Sequence, residues 1–114
     1  TEEEAEALLR EDLRDFEAAV ERLIEPPLSD PQFAALVSFA FNVGASALAR
    51  STLRKRINGH RFEDVPEELM RWVNAGGRRL AGLVNRRAAE AGLWVRGSHV
   101  AGRDVEPDDA EDAA

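Results

Sequence analysis

The sequence predicts an all-α domain of about five helices packed around one central buried helix. Apolar residues recur at helical spacing in separate blocks, and no strand of convincing period-two alternation appears. Four of the blocks open on Thr, Ser or Asp and close on Pro or Gly, the ordinary start and stop signals of helices. Abundant Leu, Val and Ala beside few aromatic residues fits a helical globule, and 114 residues suit a single domain.

Thr1 and Glu4 have the spacing of a capping box, in which each side chain satisfies the other residue's backbone N–H. Ala5, Leu8, Leu9, Leu13, Phe16, Val20, Leu23 and Ile24 follow at helical spacing until Pro26 and Pro27 forbid continuation. Ser29 and Gln32 repeat the box, with Pro31 tolerated in the first turn. From Phe33 to Val43 almost every position is apolar, Ser38 being the exception inside the run and Asn42 at its end, and a helix apolar on nearly all sides must be enclosed by others. It is therefore the central element, with Gly44 free to take the left-handed conformation that closes it.

Ser51 caps a short helix over Thr52–Asn58 that Gly59 ends. Asp64 and Pro66 open a fourth helix with Glu67 and Glu68 in its first turn. Leu69, Met70, Trp72 and Val73 follow before a stop at Gly76-Gly77. A last helix spans about Arg79 to Leu93, and beyond Gly97 the apolar pattern fades. The organisation expected is a helical lobe over 1–97 and an acidic, flexible, disordered tail over 98–114.

The net charge of −7 conceals a division. Residues 1–25 hold ten acids against three bases, residues 104–114 hold six acids and no base, and residues 26–103 hold twelve bases against six acids. A basic middle suits a polyanionic partner, or is an ordinary solvated surface. The absence of cysteine excludes disulfides and thiolate metal sites. No run approaches the ~20 apolar residues that cross a bilayer, so no membrane partner is implied. The acidic start at Thr1 lacks both a signal-peptide pattern and a Met, which implies a chain cut from something longer.

A search for chemistry finds no complete active site. A glycosidase needs two carboxyl groups about 5–9.5 Å apart across the scissile bond, one of them kept protonated by its setting. Glu63, Asp64, Glu67 and Glu68 cluster at a helix start, where capping explains them. Glu90, one turn after Arg86 and Arg87, reads as half of a helix-surface ion pair. His60 and His99 stand isolated, so no metal or other cofactor is implied.

Gln32 through Phe39-Ala40-Phe41-Asn42-Val43-Gly44, then Ser51-Thr52-Leu53, Trp72, Gly76-Gly77, Gly82-Leu83 and Arg86-Arg87-Ala88-Ala89-Glu90 together resemble the carboxy-terminal lobe of the phage-type lysozymes, glycoside hydrolase family 24. The likeness covers roughly Thr1 to Trp94. It implies a lysozyme-like helical lobe acting on peptidoglycan glycan strands at the bacterial cell wall, by hydrolysis of a β-1,4 bond. Phe41 would lie at the bottom of the glycan cleft, Asn42 would offer an amide to sugar hydroxyls, and Thr52 would place a hydroxyl on the rim. Arg86 or Arg87 would support the helix bearing the family's catalytic glutamate. Each also has a plainer reading: core for Phe41, a helix-end bond for Asn42, packing for Trp72, solvation for the arginines. The family's glutamate segment has no counterpart in this chain, so no catalytic residue is expected here, and an amino-terminal lobe on the parent chain or another chain becomes a partner. The alternative is a non-catalytic module that holds glycan or protein. Nucleic-acid binding finds no aromatic interleaving or motif among the basic residues, and no nucleic-acid partner is implied.

Overall fold

The computed structural model describes the backbone of residues 1–112 and the side chains of residues 1–5 and 12–98. Helix α1 spans Glu2–Leu23, α2 Asp30–Val43, α3 Ala45–Arg50, α4 Thr52–Asn58, α5 Val65–Leu69 and α6 Ala81–Asp112. A single 3-10 turn, Phe62–Asp64, precedes α5, and a two-stranded hairpin (β1 Asn74–Ala75, β2 Arg78–Arg79) separates α5 from α6. The side chains of Leu8 and Leu9, and those of residues 99–114 of the expected acidic tail, lie outside the described residues, whereas Ser98, where that tail was expected to begin, is part of α6.

Both capping boxes form. Glu4 N–H donates to Thr1 Oγ1 at 3.1 Å, and Gln32 N–H donates to Ser29 Oγ at 3.3 Å while Ser29 N–H donates to Gln32 Oε1 at 2.9 Å. The second box also ties helices together, because Gln32 Nε2 donates to Ser98 Oγ on α6 at 3.2 Å. Gly97 permits that approach: a Cβ there would stand 2.4 Å from Ser29 Oγ.

α2 is central, packing against α1, α3 and α6. Leu36, Phe39, Ala35 and Ala40 are fully buried. The core closes around them with Val20 of α1, Leu48 of α3, Leu53 and Ile57 of α4, Val65 and Leu69 of α5, and Trp94 of α6. The enclosure is not complete, however. Ala34 and Phe41 are exposed, so one stripe of a nearly all-apolar helix stays open.

The C-terminus of α1 is fastened by side chains of α4. Leu23 O accepts from Arg54 Nε at 3.0 Å and from Asn58 Nδ2 at 2.9 Å, and Glu25 N–H donates to Asn58 Oδ1 at 2.8 Å. These bonds satisfy groups that a helix end otherwise leaves orphaned.

Three local expectations are corrected. The fourth helix stops at Leu69, not at Gly76-Gly77: Arg71 and Trp72 N–H close tighter turns onto Glu68 O and Leu69 O. The chain then turns, placing Trp72 edge-on to Phe39 at 5.3 Å and burying Val73. Tertiary packing of these two residues outweighs continuation of a short helix. Gly76 and Gly77, with φ of 59° and 78°, instead form the tight hairpin turn that pairs Asn74 with Arg79, the turn for which positive φ at both positions favours Gly-Gly. Third, α3 fills the Ala-rich stretch between Gly44 and Ser51, which carries no side-chain cap to announce it.

Candidate functional site

Two grooves hold Thr52, Phe41 and Arg86, three of the residues that the sequence singled out, and neither is lined by Asn42 or Arg87. The first, about 580 Å³, lies where α3, the start of α4 and the end of α5 meet. Ser51 accepts from Arg54 N–H at 3.0 Å and so starts α4, which places the half-buried Thr52 on the groove wall. Trp72 lines the same groove while its ring rests edge-on against Phe39 in the core. Arg50, Arg71 and Glu68 complete its polar lining.

The second groove, about 340 Å³, runs between α1 and α2 beside α6. Phe41, 41% exposed, forms its apolar floor with Leu13, Phe33 and Val37, and Arg86 stands at its edge. Phe41 is held by an edge contact to Phe16 at 5.4 Å. Asn42, one residue on, is half-buried and makes no side-chain hydrogen bond among the described residues. Phe41 and Thr52, assigned to one cleft on the strength of the resemblance, thus line separate grooves.

Arg86 and Arg87 part company. Arg86 is exposed, whereas Arg87 is fully buried with its guanidinium 5.1 Å over the Phe39 ring. Arg87 Nη2 donates to Glu90 Oε2 at 2.9 Å. Its Nε stands 2.7 Å from Oε1 without the alignment of a hydrogen bond, an ion contact rather than a second bond. Ser38 Oγ donates to the same carboxylate at 2.6 Å. The expected pair is present, but as a buried link between α2 and α6 and not as surface decoration. Ser38, a polar residue in the middle of the apolar run of α2, was the available signal, since a buried hydroxyl needs a partner.

Burial pushes the Glu90 carboxyl above its ordinary value, while Ser38 and Arg87 pull it back. Raised proton affinity is what a general acid requires, yet Glu90 is 1% exposed and already bonded on both sides. It cannot reach a glycosidic oxygen. Three other carboxylates face arginines: Asp64 pairs with Arg61 at 3.0 Å, Glu68 with Arg71 at 3.1 Å, and Glu63 with Arg61 at 3.7 Å, whereas Glu67 is exposed. Asp64 thereby gives up the capping role expected of it, and α5 has no side-chain cap. Trp94, at the edge of the likeness, is 1% exposed; its Nε1 donates to Phe62 O at 3.2 Å and pins the 3-10 turn to α6. Among the described residues no helix is long and apolar enough to cross a membrane.

Residues 1–90 match the phage lysozyme family. The chain belongs to that family. It is 42% identical over 97 residues to an endolysin of Bacillus phage B103, covering 85% of this chain and 37% of that protein. With a SAR-endolysin of Escherichia phage Mu it shares 41% identity, over 83% of this chain and 56% of the relative. The chain therefore spans between about a third and somewhat over half of these two curated relatives. Among solved structures, the muramidase domain of SpmX from Asticaccaulis excentricus superposes with a TM-score of 0.75 at 40% identity, covering 82% of this chain and 67% of that one. An endolysin from Escherichia coli O157:H7 phage FAHEc1 gives 0.73 at 36%, covering 82% and 62%.

Proposed function

We propose that this chain is the helical lobe of a peptidoglycan-cleaving lysozyme: it supplies one wall of the glycan cleft, and the general acid comes from a segment outside these residues. The observation that carries the reading is the family match over residues 1–90. Among the described carboxylates, Glu90 is buried and Asp64 and Glu68 face arginines, so none of these three stands free as a general acid. Trp72 and Thr52 form the sugar-binding wall, an aromatic surface beside a hydroxyl.

The Phe41 groove takes a different part in this reading. It receives the segment that bears the acid, with Arg86 at its edge and Arg87 behind it. Arg86, exposed at the groove's edge, suits a carboxylate arriving from such a segment. Phe41 then lies at the bottom of the assembled cleft rather than on a sugar-binding surface of the lobe alone. The lobe over 1–97 is the functional unit on this account, and 98–114 an appended acidic tail.

Turbidity clearing of purified peptidoglycan by the chain alone tests the proposal. Loss of a general acid forfeits about 10²–10⁴-fold by itself, and positioning is lost with it, so negligible clearing is expected. Clearing at a rate typical of intact endolysins would overturn the assignment of the acid to another segment.

A further inference from the structure

Two arginines line the Trp72 groove, while Arg54 and Arg56 are taken up elsewhere in the fold. Arg54 donates through Nε to Leu23 O and through Nη1 to Ala49 O, both at 3.0 Å. Arg56 lies against Asp64 and Glu68 at 3.8 and 4.0 Å. The other two, Arg50 and Arg71, are exposed and line the groove itself. The only side-chain hydrogen bond of Arg50 among the described residues runs through Nε to Ser46 O, at 3.3 Å. Arg71 touches Glu68 through Nη1 at 3.1 Å and remains 66% exposed. Glu68, the one acid of the groove, is only 13% exposed and divides its charge between Arg71 and Arg56. The groove lining therefore carries two guanidinium groups against one carboxylate, and Arg50 Nη1 and Nη2 and Arg71 Nη2 make no hydrogen bond among the described residues.

A neutral sugar chain has no need of that charge. Stacking on Trp72 and a hydroxyl from Thr52 would suffice for it. Guanidinium groups match carboxylates, which they can bind through two parallel N–H bonds. We propose that Arg50 and Arg71 bind carboxylates on the substituents of the glycan, so that the groove selects acid-bearing β-1,4-glycans over neutral ones. This inference rests on the glycan-binding reading above and names what that groove discriminates.

The test is a titration of the full chain followed through its two indole N–H resonances by NMR. Trp72 reports the groove, and the buried Trp94 reports an intact core. The probes are a soluble muropeptide tetrasaccharide with free carboxylates, the same fragment with its carboxylates methyl-esterified, and chitotetraose. The free acid should bind about threefold to tenfold tighter than its ester at low salt, the range expected of two partly exposed ion pairs. That gap should narrow on adding about 0.5 M salt. In a variant carrying Arg50→Gln and Arg71→Gln the gap should vanish, with chitotetraose affinity changed less than about twofold. Equal affinity for acid and ester in the unmodified chain, a comparison that needs no variant, would overturn the inference and leave glycan binding standing. A gap that survives in the folded double variant would overturn the assignment to these two arginines. No Trp72 response to any probe would overturn the glycan-binding reading and this inference together.

Discussion

Replacing Arg87 and Glu90, singly and together, tests the buried link between α2 and α6 most directly. Glu90→Leu leaves a fully buried guanidinium without its counter-ion and takes the acceptor from Ser38. Breaking a buried pair on one side costs about 3–5 kcal/mol, and a stranded hydroxyl adds about 1 kcal/mol. Against a total stability of about 5–15 kcal/mol for a domain, that is enough to unfold a large fraction of the molecules. Arg87→Met has an escape that Glu90→Leu lacks, because the stranded carboxyl can take up a proton instead of remaining charged. Its cost should therefore shrink as the pH falls toward 4. In the double variant, Arg87→Met with Glu90→Leu, the charges and their desolvation disappear together, so stability should return to near that of the parent or exceed it by about 1–4 kcal/mol. Urea unfolding followed by tryptophan fluorescence at pH 7 and pH 4.5 gives all four corners of the cycle. If the double variant is as unstable as the two single losses added together, the residues are not coupled and the buried pair is wrong. A Glu90→Leu cost below about 1 kcal/mol would equally refute its burial.

The other predictions follow from single contacts. Because burial raises the folded-state pKa of Glu90 above the ordinary 4.5, folded protein holds a proton that the unfolded chain releases between those two values. The contribution of Glu90 is then most favourable below pH 4.5 and is lost as the pH rises through its folded pKa; Glu90→Gln should flatten that slope in urea titrations across pH 4–7. Gly97→Ala would set a methyl 2.4 Å from Ser29 Oγ and 2.9 Å from Gln32 Cγ. Overpacking of about 1–3 kcal/mol should exceed the gain in helix propensity of about 1 kcal/mol; a raised midpoint would refute that close approach. His60 sits at φ 62° as the left-handed residue after α4, with its N–H on Ile57 O and the Arg61 N–H on Arg56 O. His60→Gly relieves about 1–2 kcal/mol of strain at an entropic cost of about 0.5–1, so thermal unfolding should shift upward. Asn58→Ala removes both its bonds to the end of α1 and should cost about 1–3 kcal/mol by urea unfolding.

Much of the fold was legible wherever local chemistry is decisive. The two capping boxes, the Ser51 cap and the bounds of Thr52–Asn58 are short-range hydrogen-bonding patterns, and each formed where its residues stand. The buried run through Leu36 and Phe39 followed from an apolar pattern with no face to give to water. The site was less legible. That Arg86 and Arg87 matter was readable, but not that one turns outward and the other inward. The same limit separated Phe41 from Thr52: their spacing says nothing about which neighbouring elements close a groove around each.

The residues alone, through propensity, caps and apolar periodicity, establish that the chain is helical and centred on the segment from Phe33 to Val43, and its motifs resemble those of the phage lysozymes. Only the folded arrangement determined that Ser38 reaches Glu90, that Trp72 leaves its helix to meet Phe39, and that Arg50 and Arg71 line the groove beside it. The division has a physical cause. Caps and helices are satisfied within about one turn of chain, whereas charge burial and groove lining depend on which distant segments exclude water from a side chain.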